Sequence, residues 1–141
     1  MNEPMGSEPQ AIVRRLAAAL DADDFTTARS LLDEACLYVG REETCHGAEA
    51  IIASYADASA WAHRALDEVR YESEVGPAAG SAVTVTFTDY LLKAGGRWHR
   101  YRCRQVFTVD DRGRIVRIAH HDLPGEREAL ENYFRENGIE R

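Results

Sequence analysis

The stretch Ala82-Val83-Thr84-Val85-Thr86-Phe87-Thr88-Asp89-Tyr90-Leu91-Leu92 decides the fold. Val83, Val85, Phe87, Asp89 and Leu91 share one face of an extended chain, and Thr84, Thr86, Thr88 and Tyr90 share the other. That period of two predicts a strand whose first face is buried and whose second faces water. Asp89 is the exception in the apolar row. It is either a pocket carboxylate or a strand-end residue near water, and burial would require a partner such as Gln105, Tyr55 or His120.

Downstream, residues 98–109 set Tyr101, Cys103, Gln105 and Phe107 against Arg100, Arg102 and Arg104, which predicts that the arginines point away from the core. Residues 115–123 carry Val116 and Ile118 in phase with His120 and Asp122, so a core face ends in polar groups. Upstream, residues 66–75 are also β-rich. The separators Gly76-Pro77, Gly95-Gly96 and Asp111-Arg112-Gly113 complete the pattern of a four-stranded antiparallel meander.

The chain before the meander has a helical period. Ser7 reads as an N-cap, with Ile12, Val13, Leu16 and Leu20 on one face of the helix that follows. Asp24 can cap a second, short helix that buries Phe25, Ala28, Leu31 and Leu32. A short strand is expected at Cys36-Leu37-Tyr38-Val39, then a polar connection to Thr44-Cys45-His46. A third helix from Gly47 to about Leu66 places Ile51, Ile52, Tyr55, Ser59 and Ala62 on one face. After the meander, residues 126–137 read as a closing helix with Leu130, Tyr133 and Phe134 inward. These elements predict an α+β domain over residues 7–141, preceded by a disordered tail at 1–6.

Composition excludes several classes. With 141 residues, 45% of them hydrophobic and 29% charged, the chain reads as one globular core. A net charge of -7 opposes the basic footprint of a nucleic-acid binder. No apolar run suits a bilayer and the start lacks a secretory signal, so neither membrane nor nucleic acid is expected as a partner and a cytoplasmic location is. Cys36, Cys45 and Cys103 have no ligand or disulfide spacing; they read as buried thiols, with no metal expected. The sequence has neither a glycine-rich phosphate loop nor a nucleophile elbow, so no cofactor is implied.

Three segments in this order and spacing carry a resemblance: Asp23-Asp24-Phe25 with Leu31-Leu32-Asp33-Glu34-Ala35, His46-Gly47-Ala48-Glu49-Ala50-Ile51, and Asp111-Arg112-Gly113-Arg114-Ile115. Over about residues 10–134 the chain resembles the nuclear transport factor 2-like superfamily, in its SnoaL-like and ketosteroid isomerase-like branch. The resemblance implies a cone. In it a curved, mixed and mainly antiparallel sheet wraps three N-terminal helices, a short C-terminal helix follows, and a largely apolar pocket opens at one end. Such cones host isomerases, cyclases, dehydratases, hydrolases and non-catalytic modules. By the resemblance, the isomerase's helix-one tyrosine falls at Leu16, its general base at Val39, its protonated aspartate at Gln105 and its supporting tyrosine at Tyr55. With no carboxylate at the base position, steroid isomerisation is not expected.

His120 and Asp122 project from one face of a strand and form a candidate proton-transfer pair, with Asp89 as a further carboxylate. The alternative is that they sit at the rim or cap the closing helix. Tyr55 and Gln105 could hold a carbonyl or hydroxyl oxygen, or satisfy a neighbour within the core. Phe87, Tyr101, Phe107, Ile118, Val39 and Trp61 are candidate walls for a small apolar or aromatic molecule, or core packing. The functional expectation is cofactor-free isomerase, cyclase or lyase chemistry, against a non-catalytic ligand-binding or protein-interaction module. Glu68, Arg70, Glu72 and Glu74 share the outer sheet face with Arg100, Arg102 and Arg104, across a threonine row. That arrangement predicts a homodimer through this face, with ion pairs within the chain as the alternative.

Overall fold

The structure is a computed structural model and describes residues 7–140; the tail reading at 1–6 and the side chain of Ser7 lie outside it. The elements are α1 (Ser7–Asp21), α2 (Phe25–Ser30), β1 (Leu32–Val39), β2 (Thr44–His46), α3 (Ala48–Ala65), β3 (Glu68–Ala79), β4 (Ala82–Leu92), β5 (His99–Val109), β6 (Ile115–Asp122) and α4 (Glu126–Glu136). The six strands form one sheet in the order β2-β1-β6-β5-β4-β3. β3 to β6 are the antiparallel meander, and β1 joins β6 in parallel, which makes the sheet mixed.

α1 follows its period: Val13, Leu16, Ala17 and Leu20 are buried against the inner face of the sheet, where Val83, Val85, Phe107 and Ile118 meet them. Asp24 caps α2 by accepting from the Thr27 backbone N–H. A second apolar cluster, of Leu66, Leu91, Leu130, Tyr133 and Phe134, brings α4 against the other end of the sheet. On β5, Arg100 and Arg104 are exposed and Arg102 half-buried, on the face opposite buried Cys103, Gln105 and Phe107. Among the described residues no ion pair joins these arginines to the acidic row of β3, where Arg70 pairs with Glu68 instead.

Three local expectations are corrected. β1 begins at Leu32, so Leu32 is a strand residue and not part of α2. Thr44-Cys45-His46, where the polar connection ends, forms the short strand β2 paired with β1, which the residue pattern left unassigned. Gly76-Pro77 does not separate two strands: β3 runs on to Ala79 with a bulge between Val75 and Ala78. β3 is a sheet edge, where proline's missing N–H breaks no ladder. The Gln10 amide also donates to the Gly76 carbonyl at 2.7 Å, fixing α1 to the bulge. The reversal comes instead at Gly80, whose φ of 63° suits glycine. Finally, a bulge at the Val109–Ile115 step puts fully buried Ile115 in the core and leaves Val116 half-buried, so Val116 is not the core residue expected from alternation.

Candidate functional site

Between the two apolar clusters lies a cavity of about 270 Å³. Its walls are mostly apolar and aromatic, with Phe25, Trp61, Phe87, Tyr101 and Phe134 among them, and polar groups gather at two ends. Trp61 stands edge-on to Phe134 with ring centroids 5.5 Å apart.

The register builds the first polar end. Gln105 pairs with His120, and Cys103 with Asp122, so β5 and β6 present these side chains side by side. The Tyr55 hydroxyl, from α3, donates to Gln105 Oε1 at 2.7 Å. Gln105 Nε2 lies 3.2 Å from His120 Nδ1 and 3.4 Å from the Tyr38 hydroxyl, so its two N–H groups have two acceptors. An amide nitrogen only donates, which makes Nδ1 the acceptor and places the imidazole proton on Nε2. That N–H donates to Asp122 Oδ1 at 2.8 Å, and Arg41 holds Asp122 Oδ2 at 2.8 Å. Both nitrogens of His120 are therefore engaged. The Tyr38 O–H proton has no acceptor among the described residues, and burial pushes that phenol up to about 12, so it stays a donor.

The second end is acidic. Asp21 closes α1, Asp23 lies in the turn after it with φ 56°, and Asp89 comes from β4. Left-handed backbone is uncommon outside glycine but tolerated by aspartate, and here the Asp23 carboxylate accepts from Ser59 Oγ at 2.9 Å. Ser59 also meets the Tyr71 hydroxyl at 2.9 Å, and Ser73 donates to Asp21 at 2.7 Å. Asp89 differs from its neighbours. It pairs in register with Tyr101 and Tyr71, lies between Phe87 and Leu91 on the inner face, and has no hydrogen bond or ion pair among the described residues. Burial, assisted by the charge of Asp21, pushes its carboxyl up to about 7. Burial also raises Asp21, against the pull of its Ser73 hydrogen bond.

The structure therefore brings Asp89, Tyr55, Gln105, His120, Tyr101, Phe87 and Trp61 to one cavity. Asp122 sits behind His120 and does not line it. Phe107 and Ile118 are fully buried away from the lining, with Phe107 edge-on to Phe87 at 6.2 Å. Val39 is corrected too: it is adjacent in sequence to Tyr38, so their side chains take opposite faces, and Tyr38 is the one that lines the cavity. None of Gln105, Tyr55 and His120 partners Asp89, contrary to expectation. Asp21, Asp23, Ser59, Tyr71 and Tyr38 are lining residues that sequence reading missed. The one signal for the aspartates was an acidic break between two helices, which also fits a solvated turn.

The SnoaL-like domain family matches residues 13–118, most of the chain. Among solved structures, an epoxide hydrolase of M. tuberculosis described as LEH-like is 24% identical, with a TM-score of 0.65 over 92% of this chain and 93% of that one. TerC, co-crystallised with polyporic acid, is 17% identical, with a TM-score of 0.67 over 90% and 98%. Bal32a, from a soil-derived mobile gene cassette, is 21% identical, with a TM-score of 0.66 over 82% and 89%. At such identities the likeness is one of fold. No curated protein matches the chain. The chain belongs to the SnoaL-like family, within the nuclear transport factor 2-like superfamily.

Proposed function

From membership of the SnoaL-like family as premise, we propose that this chain binds a small, largely apolar cyclic or aromatic molecule in its cavity and moves a proton on it without a cofactor. Asp89 is the general base, and Tyr38 is the donor to the oxygen that gains charge. The observation that carries this reading is the unpartnered Asp89 carboxyl among Phe87, Leu91 and Tyr101 on the cavity wall. A carboxylate in apolar surroundings is a stronger base than one in water, and a group poised near neutrality both takes and returns a proton. The step would be abstraction of hydrogen from a carbon beside a carbonyl. The C–H proton passes to an Asp89 oxygen, its electron pair forms the enolate double bond, and the Tyr38 O–H donates to the enolate oxygen. Asp89 then returns the proton at another carbon, or the enolate attacks within the same molecule or expels a leaving group. These outcomes correspond to an isomerase, a cyclase or a lyase.

His120 is reassigned by its contacts. With Nδ1 accepting from Gln105 and Nε2 donating to Asp122, it holds Gln105, and through Gln105 the Tyr38 hydroxyl, in place. The structural neighbours fit a cavity for small molecules, since one is described as an epoxide hydrolase and another was co-crystallised with polyporic acid.

The test is hydrogen–deuterium exchange at the α-carbon of 1-indanone in heavy-water buffer, followed by proton NMR, with binding read from saturation transfer. The wild-type chain should accelerate exchange, with a rate that rises to a plateau above about pH 7 as Asp89 ionises, and Asp89→Asn should bind the ketone but exchange it at the buffer rate. Binding without acceleration in the wild type would make the chain a non-catalytic ligand-binding module. No binding would overturn the cavity reading itself.

A further inference from the structure

We infer that the cavity selects molecules bearing a protonated amine, with the nitrogen seated at the Asp21, Asp23 and Asp89 end and the ring against the aromatic walls. The inference rests on the cavity being the ligand site and adds the substrate class. Three carboxylates from two parts of the fold line one cavity of about 270 Å³. Two of them have partners: Ser73 donates to Asp21, and Ser59 and His63 meet Asp23. The third, Asp89, is half-buried, faces the cavity, and its carboxyl has no partner. Uncompensated carboxylates in a desolvated space are costly, and a cation arriving with the ligand relieves that cost.

Among the described residues no cationic side chain pairs with Asp89 itself. From β3 and β5 it faces Tyr71, Tyr101 and Cys103, all neutral and all raised by burial. From α1 it faces Asp21, which adds negative charge. His63 of α3 is half exposed and approaches Asp23 at 3.3 Å. Arg127 of α4 lines the same cavity, but its Nε lies 3.7 Å from Glu131 and its charge acts on Tyr101, not on Asp89. A metal ion fits less well than an organic cation, since among the described residues no group of three or more His, Cys, Asp or Glu is arranged to hold one. Trp61, Tyr71, Tyr101 and Phe87 give a ring-bearing ammonium both its apolar contact and π faces. The ammonium would also draw Asp89 into its ionised form, so amine binding below about pH 7 would release a proton.

The test is calorimetric titration of the wild-type chain with three compounds of one ring system: 2-aminoindane, 2-indanol and indane-2-carboxylate. At about pH 8, and in about 0.3 M salt to screen the chain's overall acidity, the amine should bind about tenfold more tightly than the alcohol, and the carboxylate weakest. At about pH 5.5 the advantage of the amine should shrink as Asp89 takes its proton. Near pH 6.5 the heat of amine binding should vary with the ionisation enthalpy of the buffer, while the heat of alcohol binding should not. Asp89→Asn, close in volume, should remove most of the advantage, and Asp23→Asn should reduce it if Asp89→Asn fails to fold. Equal binding of amine and alcohol at pH 8 would overturn the inference. If 2-indanol and 1-indanone bind and the amine gains nothing, only the amine class falls. If none of the compounds binds, the cavity reading falls with it. A selective amine site in a chain that exchanges no ketone would uphold this inference and reject proton transfer.

Discussion

The two ends of the cavity are both polar and behave oppositely. At the Gln105 end, the side chains of Tyr55, Gln105, His120, Asp122 and Arg41 satisfy one another in a continuous chain, and the Tyr38 O–H proton is the donor left over. At the Asp89 end, hydroxyls serve Asp21 and Asp23, His63 also reaches Asp23, and the Asp89 carboxyl has no partner. The number of polar groups therefore does not identify the reactive end. A saturated network holds its members in one geometry and resists change, whereas an unpaired carboxyl keeps its capacity for a ligand and for a proton.

The largest effect that would break this contrast is the pH dependence of stability. Asp89 has an ordinary value of 3.8 and is pushed to about 7 in the fold, so between these values the folded state holds more protons than the unfolded state. Its contribution is fully present below about pH 4 and is lost as pH rises through about 7. Urea unfolding should show wild type losing on the order of 3 kcal/mol across that window relative to Asp89→Asn. Parallel pH profiles for the two proteins would mean that Asp89 has a partner.

Gln105→Leu probes the opposite end. It removes the acceptor of Tyr55 and the donor to His120 and Tyr38, leaving several buried polar atoms unpaired, and should cost about 2–3 kcal/mol in the same assay. A neutral result would show that water replaces the amide and that the network is not a rigid support. Tyr38→Phe should leave stability within about 1 kcal/mol, because the hydroxyl gives up one long hydrogen bond, yet slow 1-indanone exchange about tenfold. Loss of stability without loss of exchange would put Tyr38 in the scaffold. Arg41→Ala should have the smallest effect, less than about 1 kcal/mol, because Arg41 is half exposed and its pair with Asp122 is screened by solvent. A larger cost would extend the rigid network to the surface.

Much of the fold was legible because local periods are strong. The alternation across Ala82–Leu92 and the apolar spacing in α1 each assigned an element and its buried face. What failed were the places where one or two extra residues change the phase. The bulges beside Gly76-Pro77 and at Val116 are set by strand pairing, and a single strand's sequence does not show them. The same limit explains Val39 and Tyr38: the two are adjacent, and the choice of face depends on how β1 meets β6. At the site, the shared face of Gln105, His120 and Asp122 was readable from alternation, but their roles were not, because a hydrogen-bond partner is a neighbour in space.

The residue pattern alone set the order of helices and strands, the faces of the central strands and a polar end to the last strand. It did so because burial selects residue types at a period of two or 3.6. Only the tertiary structure decided that the turn after α1 delivers Asp21 and Asp23 to the cavity that Asp89 lines, that His120 is fully engaged, and that Asp89 is unpaired. Those facts depend on distances between segments remote in sequence. The state of a carboxyl is set by what surrounds it in space, through desolvation and nearby charge, and neither exists until the chain has folded.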